Sequence, residues 1–115
     1  QLPYPAELNL LLEEFFKWYN QTKNKLHPLE LAALVHLKFV SIHPFTDGNG
    51  RISRILMNFV LNKNKFPMLD ILYVNRSSYY TALERSQKTR KEYIFVQYLI
   101  RRYIKEYRKY TINTR

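Results

Sequence analysis

The only two glycines of this chain, Gly48 and Gly50, lie two positions apart in a segment that could bind an anion. An average protein has glycine at about 7% of its positions, so a glycine-poor chain with both glycines in one loop needs special backbone angles or room for a ligand there. A helix is expected to begin directly after them, where backbone N–H groups lack intrahelical partners and the helix dipole is positive. A Gly-Asn-Gly-Arg turn at such an end can direct several N–H groups at one anion.

Four side chains around the glycines carry groups that phosphoryl or nucleotidyl transfer requires. A histidine can take a proton from a hydroxyl near neutral pH, and His43 lies five positions before Gly48. Asp47 offers a hard oxygen for Mg²⁺, which is usually shared between a carboxylate and substrate phosphates. Arg51 and Arg54 are three positions apart, so both can reach the same side of a helix, and guanidinium groups suit phosphate oxygens.

The elements that must position this loop are helices. A helical spacing of apolar residues opens the chain at Leu8, Leu11, Leu12, Phe15 and Tyr19. Pro28 is expected at the first position of a second, buried helix, and Pro44 should stop that helix near Ile42. A third helix is predicted from Arg51, with apolar residues at Ile52, Ile55, Leu56, Phe59 and Val60. The loop at residues 43–50 therefore lies between two central helices.

The C-terminal part also has helical periodicity. Residues 68–74 could be extended or form a short helix, and Asn75 is a good N-cap for the helix that follows. Thr89 and Glu92 have the spacing of a capping box. The last helix is expected to bury a face made of Val96, Ile100, Tyr103, Ile104 and Tyr107. These patterns predict a compact all-α bundle of about five or six helices, forming a single domain over residues 1–115.

Composition narrows the function classes. The absence of cysteine excludes a disulfide scaffold and Cys-containing metal sites, and it is compatible with a reducing compartment, so we expect a cytoplasmic protein. No apolar stretch is long enough to predict a membrane span. The net charge is +10, and residues 76–115 carry 11 basic but only three acidic side chains. A basic half suits an anionic partner such as a nucleotide, a nucleic acid or an acidic protein, although a solvated helix face has the same composition.

Residues 43–54 read His-Pro-Phe-Thr-Asp-Gly-Asn-Gly-Arg-Ile-Ser-Arg. This segment resembles the Fic family signature H-x-F-x-[D/E]-G-N-G-R-x-x-R and matches it at every fixed position. The resemblance continues in Phe39-Val40-Ser41-Ile42 before the motif, and in Leu56-Met57-Asn58, Phe66-Pro67 and Arg76-Ser77-Ser78-Tyr79-Tyr80 after it. It covers about residues 5–107 and implies a Fic-type helical bundle.

The resemblance also implies an activity, the transfer of AMP from Mg-ATP to a Ser, Thr or Tyr hydroxyl of a target protein, with release of pyrophosphate. In that reaction His43 would be the base that deprotonates the hydroxyl, and Asp47 would hold Mg²⁺. Phe45 would be structural, pinning the loop into the core. Self-modification is possible, and no nucleic acid or membrane is required.

The same resemblance implies the nucleotide contacts. Gly48, Asn49 and Gly50 would form the phosphate cradle, to which the Asn49 side chain would add a contact. Arg51 would bind on the β-phosphate side and Arg54 would bind the γ-phosphate. Some Fic-related kinases have lysine at the position of Gly50, so glycine favours nucleotidyl transfer over phosphorylation. The adenosine pocket is expected near Tyr79, Tyr80 and Gln87.

Two alternatives stay open, the first of them implied by the resemblance. Removal of AMP from a modified target could occur at the same site, or the chain could be a non-catalytic basic helical module that binds nucleic acid or another anionic partner. The second alternative would need neither His43 nor Asp47. The chain is expected to be a core fragment that lacks the family's upstream flap. The family's inhibitory helix contains a Glu followed by Gly or Asn, and no Glu of this chain has such a neighbour.

Overall fold

The structure is a computed structural model, and it describes residues 5–71 and 76–113. Five α-helices form this part of the chain. They are α1 Pro5–Thr22, α2 Pro28–Ile42, α3 Asn49–Lys63, α4 Arg76–Thr89 and α5 Glu92–Asn113. These residues contain no strand, which confirms the all-α prediction, and none of their helices is long and apolar enough to cross a membrane. The chain divides into two compact units, Gln1–Met68 and Leu69–Arg115.

Helix α2 is the central element of the first unit. It begins at Pro28 and ends at Ile42, as predicted, and it packs against both α1 and α3, most extensively against α3. Seven consecutive residues from Leu31 to Leu37 are buried. Among the contacts between α1 and α2 is the edge-to-face pair of Phe15 and Phe39, with ring centroids 5.9 Å apart. Another is a cation–π contact, in which the Lys38 ammonium lies 4.9 Å from the centre of the Trp18 ring.

Helix α3 begins at Asn49, two residues earlier than predicted, and it buries a different face. Its buried residues are Asn49, Ser53, Met57, Val60 and Leu61. Of the apolar residues that indicated this helix, Val60 is buried, whereas Ile55 and Phe59 are 60% and 56% exposed. The apolar spacing was misleading because two polar residues, Asn49 and Ser53, occupy the first two turns of the buried stripe.

The second unit pairs α4 with α5 through the buried hydroxyl of Ser86. This hydroxyl donates a hydrogen bond to the Lys91 carbonyl at 3.0 Å and accepts one from the Phe95 N–H at 2.8 Å. The predicted capping box of Thr89 with Glu92 is wrong, because Thr89 is the last residue of α4 and its hydroxyl donates to a carbonyl within that helix. Asn75, the predicted cap, lies outside the described residues.

The buried face of α5 is partly as predicted. Among its residues up to Arg108, whose burial the structure describes, Phe95, Leu99 and Tyr103 are buried. Ile104, predicted to lie in the core, is 44% exposed, which corrects that position. The helix buries the stripe that recurs every four residues from Phe95, and Ile104 lies next to this stripe rather than on it.

A neutral histidine is enclosed in the core of the first unit. His36 of α2 is fully buried. Burial, followed by the charge of Arg54, lowers the pKa of His36 to about 3. Both effects act against the charged imidazolium, so the folded state strongly prefers the neutral ring.

His36 should therefore make the protein sensitive to acid. Its contribution to stability is complete above the unfolded pKa of 6.5 and is lost as the pH falls towards about 3. Between about pH 7 and about pH 4 this residue alone should remove about 3 kcal/mol from the free energy of unfolding. Urea titrations at both pH values measure the loss, which should be much smaller in His36→Gln and unchanged in the exposed control His27→Gln. An equal loss in all three proteins would contradict this assignment.

Candidate functional site

The loop between α2 and α3 has a left-handed residue at each end. His43 ends α2 with φ 55° and ψ 56°, and Gly48 precedes α3 with φ 80°. Pro44 disfavours right-handed helical angles at His43, which explains why the helix stops there. At Gly48 the requirement is the backbone angle alone, because a Cβ there would meet nothing within 4 Å. The chain thus turns sharply at both ends of the loop.

The buried side chain of Asn49 closes the loop. Its Oδ1 accepts a hydrogen bond from the Phe45 N–H at 3.0 Å, and its Nδ2 donates one to the Phe45 carbonyl at 2.8 Å. The same Nδ2 lies 3.3 Å from Nδ1 of His43. One amide at the first position of α3 therefore connects the middle of the loop, its histidine and the helix.

Phe45 does not have the structural role that was expected. Its side chain is 49% exposed, so the aromatic ring does not pin the loop into the core. The backbone of Phe45 makes the attachment instead, through both of its bonds to Asn49.

The two arginines of the motif share one surface. Arg51 and Arg54 line an open groove of about 420 Å³ along α3, together with Ile55, Asn58, Phe59, Asn62 and Met68. This arrangement agrees with the expectation that both side chains reach the same side. Gly50 lies against Arg54: a Cβ at Gly50 would be 3.2 Å from Nη1 of that arginine. The absence of a side chain at residue 50 therefore leaves space for the guanidinium.

His43 and Asp47 are exposed residues of the same loop. Within the described ranges no group of three or more His, Asp or Glu could hold a metal ion by itself. A single exposed carboxylate nevertheless suits Mg²⁺, which keeps several waters and takes its other ligands from substrate phosphates. Asp47 thus fits a metal shared with a phosphate ligand.

The residues predicted for the adenosine pocket belong to the second unit. Tyr79 is 1% exposed and packs against Tyr80 and Phe95, with ring centroids 4.9 Å and 6.1 Å away, so its ring is a core group. Tyr80 and Gln87 are exposed on α4. For these two residues nucleotide binding stays a prediction.

The bonds from both ends of the Asn49 amide to the Phe45 backbone were not predicted. The contact of this side chain to phosphate stays a prediction. A signal was available: asparagine at the start of a helix commonly bonds nearby backbone groups.

A family profile, curated relatives and solved structures all relate the chain to one family. The sequence profile of the Fic/DOC family matches residues 1–61. Relatives named "Protein adenylyltransferase Fic" are 48% identical in Drosophila grimshawi and 47% identical in Drosophila melanogaster, each over 83 residues. Each match covers 71% of this chain and 17% of the relative, so the chain spans about a sixth of the length of these proteins.

Solved structures show the same fold. A Fic-domain-containing signalling protein from Bacteroides thetaiotaomicron is similar with a TM-score of 0.82 and 34% identity, over 91% of this chain and 45% of that protein. Fic-1 from C. elegans is similar with a TM-score of 0.81 and 30% identity, over 93% of this chain and 32% of the other. The chain thus corresponds to a part of each.

The two glycines should respond differently to alanine. Gly48→Ala places a Cβ on a left-handed residue and should lower the free energy of unfolding by about 1–2 kcal/mol. Gly50→Ala lies within a helix, where alanine is favourable, so stability should not fall. It should instead displace Arg54 and weaken binding of inorganic triphosphate by about tenfold, the equivalent of about one charge-assisted hydrogen bond. Denaturation and calorimetry measure the two effects, and a Gly50→Ala protein with wild-type triphosphate affinity would contradict this contact's importance.

Proposed function

The chain belongs to the Fic/DOC family, and from that premise we propose that it transfers AMP from ATP to a Ser, Thr or Tyr hydroxyl of a protein. The observation that carries this proposal is the loop at the start of α3, which joins an exposed histidine to a helix N-terminus with two arginines on one groove. The names of the Drosophila relatives support the same activity.

The proposed reaction exchanges one phosphorus–oxygen bond for another. The hydroxyl proton passes to the His43 imidazole while the hydroxyl oxygen bonds to the α-phosphorus. The bond from the α-phosphorus to the bridging oxygen breaks, and its electron pair leaves with pyrophosphate. The backbone N–H groups at the start of α3, with Arg51 and Arg54, bind the phosphate oxygens. Mg²⁺ held by Asp47 would supply positive charge to the phosphates.

Glycine at residue 50 supports nucleotidyl transfer rather than phosphorylation. A Cβ at this position would already be 3.2 Å from the Arg54 guanidinium, so a long basic side chain would compete for the same space. With glycine there, Arg54 can serve the far end of the triphosphate, which leaves the α-phosphate for the hydroxyl. Tyr80 and Gln87 are the proposed adenosine contacts.

Two alternatives to AMP transfer would give different results. Hydrolytic removal of AMP from a modified protein would take place at the same site and would appear as loss of label from a modified target. Binding of nucleic acid by the basic second half would depend steeply on salt and would not require His43.

His43 should be needed for transfer and not for binding. His43→Ala should lower the rate of AMP transfer, including self-modification, by about 10²–10⁴-fold, because the general base is lost. ATP affinity should stay close to wild type, since the phosphate contacts lie elsewhere. Labelled ATP measures transfer and calorimetry measures binding, with the exposed His27→Ala as the matched control. Wild-type transfer by His43→Ala would refute the assignment of the base.

Arg54 should distinguish ATP from ADP. Arg54→Ala should weaken ATP binding more than ADP binding, because only ATP has the γ-phosphate that this arginine is proposed to hold. Calorimetry with both nucleotides gives the two losses, and Arg101→Ala, an exposed arginine on α5, provides the control for a change in net charge. Equal losses for ATP and ADP would overturn the role given to Arg54.

A further inference from the structure

The amide of Asn49 has one possible orientation. The Phe45 N–H can only donate and the Phe45 carbonyl can only accept. Their distances of 3.0 Å to Oδ1 and 2.8 Å to Nδ2 place the oxygen and nitrogen of the amide without ambiguity. A reversed amide would oppose donor to donor and acceptor to acceptor in a side chain that is only 5% exposed.

This orientation determines what His43 can do at Nδ1. The amide nitrogen of Asn49 lies 3.3 Å from that atom and carries hydrogens but no lone pair for accepting. Nδ1 of His43 must therefore be the acceptor. A neutral imidazole that accepts at Nδ1 carries its own hydrogen on Nε2.

We propose that Asn49 holds His43 in a resting state: bonded to the Phe45 backbone, its amide orients the imidazole and selects the tautomer with hydrogen on Nε2. The inference rests on the proposed function only where it concerns catalysis. The tautomer itself follows from the hydrogen bonds of the loop.

The selected tautomer defines a resting arrangement of the site. The lone pair of the ring lies on Nδ1, covered by the Asn49 amide, while Nε2 presents a hydrogen. When a hydroxyl proton is transferred to Nδ1, the O–H bond breaks, a new N–H bond forms and imidazolium results. That new N–H would face the N–H of Asn49, so the contact must open. Acceptance at Nε2 likewise requires the ring hydrogen to move to Nδ1 first. Either route to a catalytic base breaks the contact between His43 and Asn49.

The chain contains an internal reference for this state. His27, one of only three histidines, accepts a hydrogen bond at Nδ1 from the Leu29 N–H at 3.1 Å. A backbone N–H can only donate, so His27 must also carry its hydrogen on Nε2 when neutral. A matched control for the amide exists at the other end of α3, where Nδ2 of Asn64 donates to the Val60 carbonyl at 2.8 Å.

Nitrogen NMR of the whole chain labelled with ¹⁵N-histidine tests the proposal at a pH where the exposed imidazoles are neutral. His43 should show a protonated Nε2 and an unprotonated Nδ1, the pattern of His27, with His27→Gln and His43→Gln giving the assignments. In Asn49→Ala the Nδ1 resonance should shift, because its donor is gone. In Asn49→Asp the hydrogen should move to Nδ1, because a carboxylate can only accept. Asn64→Ala should leave His43 unchanged.

Two results would overturn the inference: a wild-type His43 with its hydrogen on Nδ1, or identical His43 nitrogen shifts in wild type and Asn49→Ala. If Asn49→Ala does not fold, the wild-type spectrum and Asn49→Asp still decide the question. The measurement needs no nucleotide or target, so a failure of the proposed transfer reaction would leave its result intact.

Discussion

The whole site depends on how a short loop is closed between two helices that are already packed together. α2 and α3 fix the two ends of residues 43–48, and the chain must reverse between them with left-handed angles at His43 and Gly48. Left-handed angles at a residue other than glycine cost about 1–2 kcal/mol, so something must stabilise this conformation. The bonds from Asn49 to the Phe45 backbone do so, because they tie the middle of the loop to the first residue of α3.

Polar side chains of α3 also lie in the core of the first unit. Asn49 and Ser53 face the core, and His36 is enclosed with its pKa lowered by burial and by Arg54. Arg54 therefore lines the groove and also lowers the pKa of His36 in the core through its charge. A neutral His36 is compatible with that arginine, whereas a protonated one would repel it. At neutral pH an uncharged His36 in the core and a positively charged Arg54 at the groove are therefore compatible.

Much of this arrangement could be predicted from the sequence, because proline and glycine act locally. Pro28 and Pro44 fixed the bounds of α2. Gly48 marked the end of the loop, whereas Gly50, expected in the same loop, lies within α3. The face of α3 could not be predicted from apolar spacing, since Ile55 and Phe59 are exposed and the buried stripe begins with polar residues. Thr89 also misled the analysis, because its hydroxyl bonds its own helix rather than the start of the next. The bond that Thr89 makes is itself local, to the carbonyl of Arg85 four residues earlier, but the spacing of Thr89 and Glu92 does not reveal it.

The central claim, that the site transfers an adenylyl group, is tested most directly by the mass of the product. The chain should be incubated with Mg-ATP and candidate target proteins, and the intact masses of the chain and the targets measured. The account predicts a gain of one AMP less water on a Ser, Thr or Tyr residue, absent when His43→Ala replaces the wild type. A product that gains only a phosphate would contradict the proposed orientation of ATP, and with it the role assigned to Gly50.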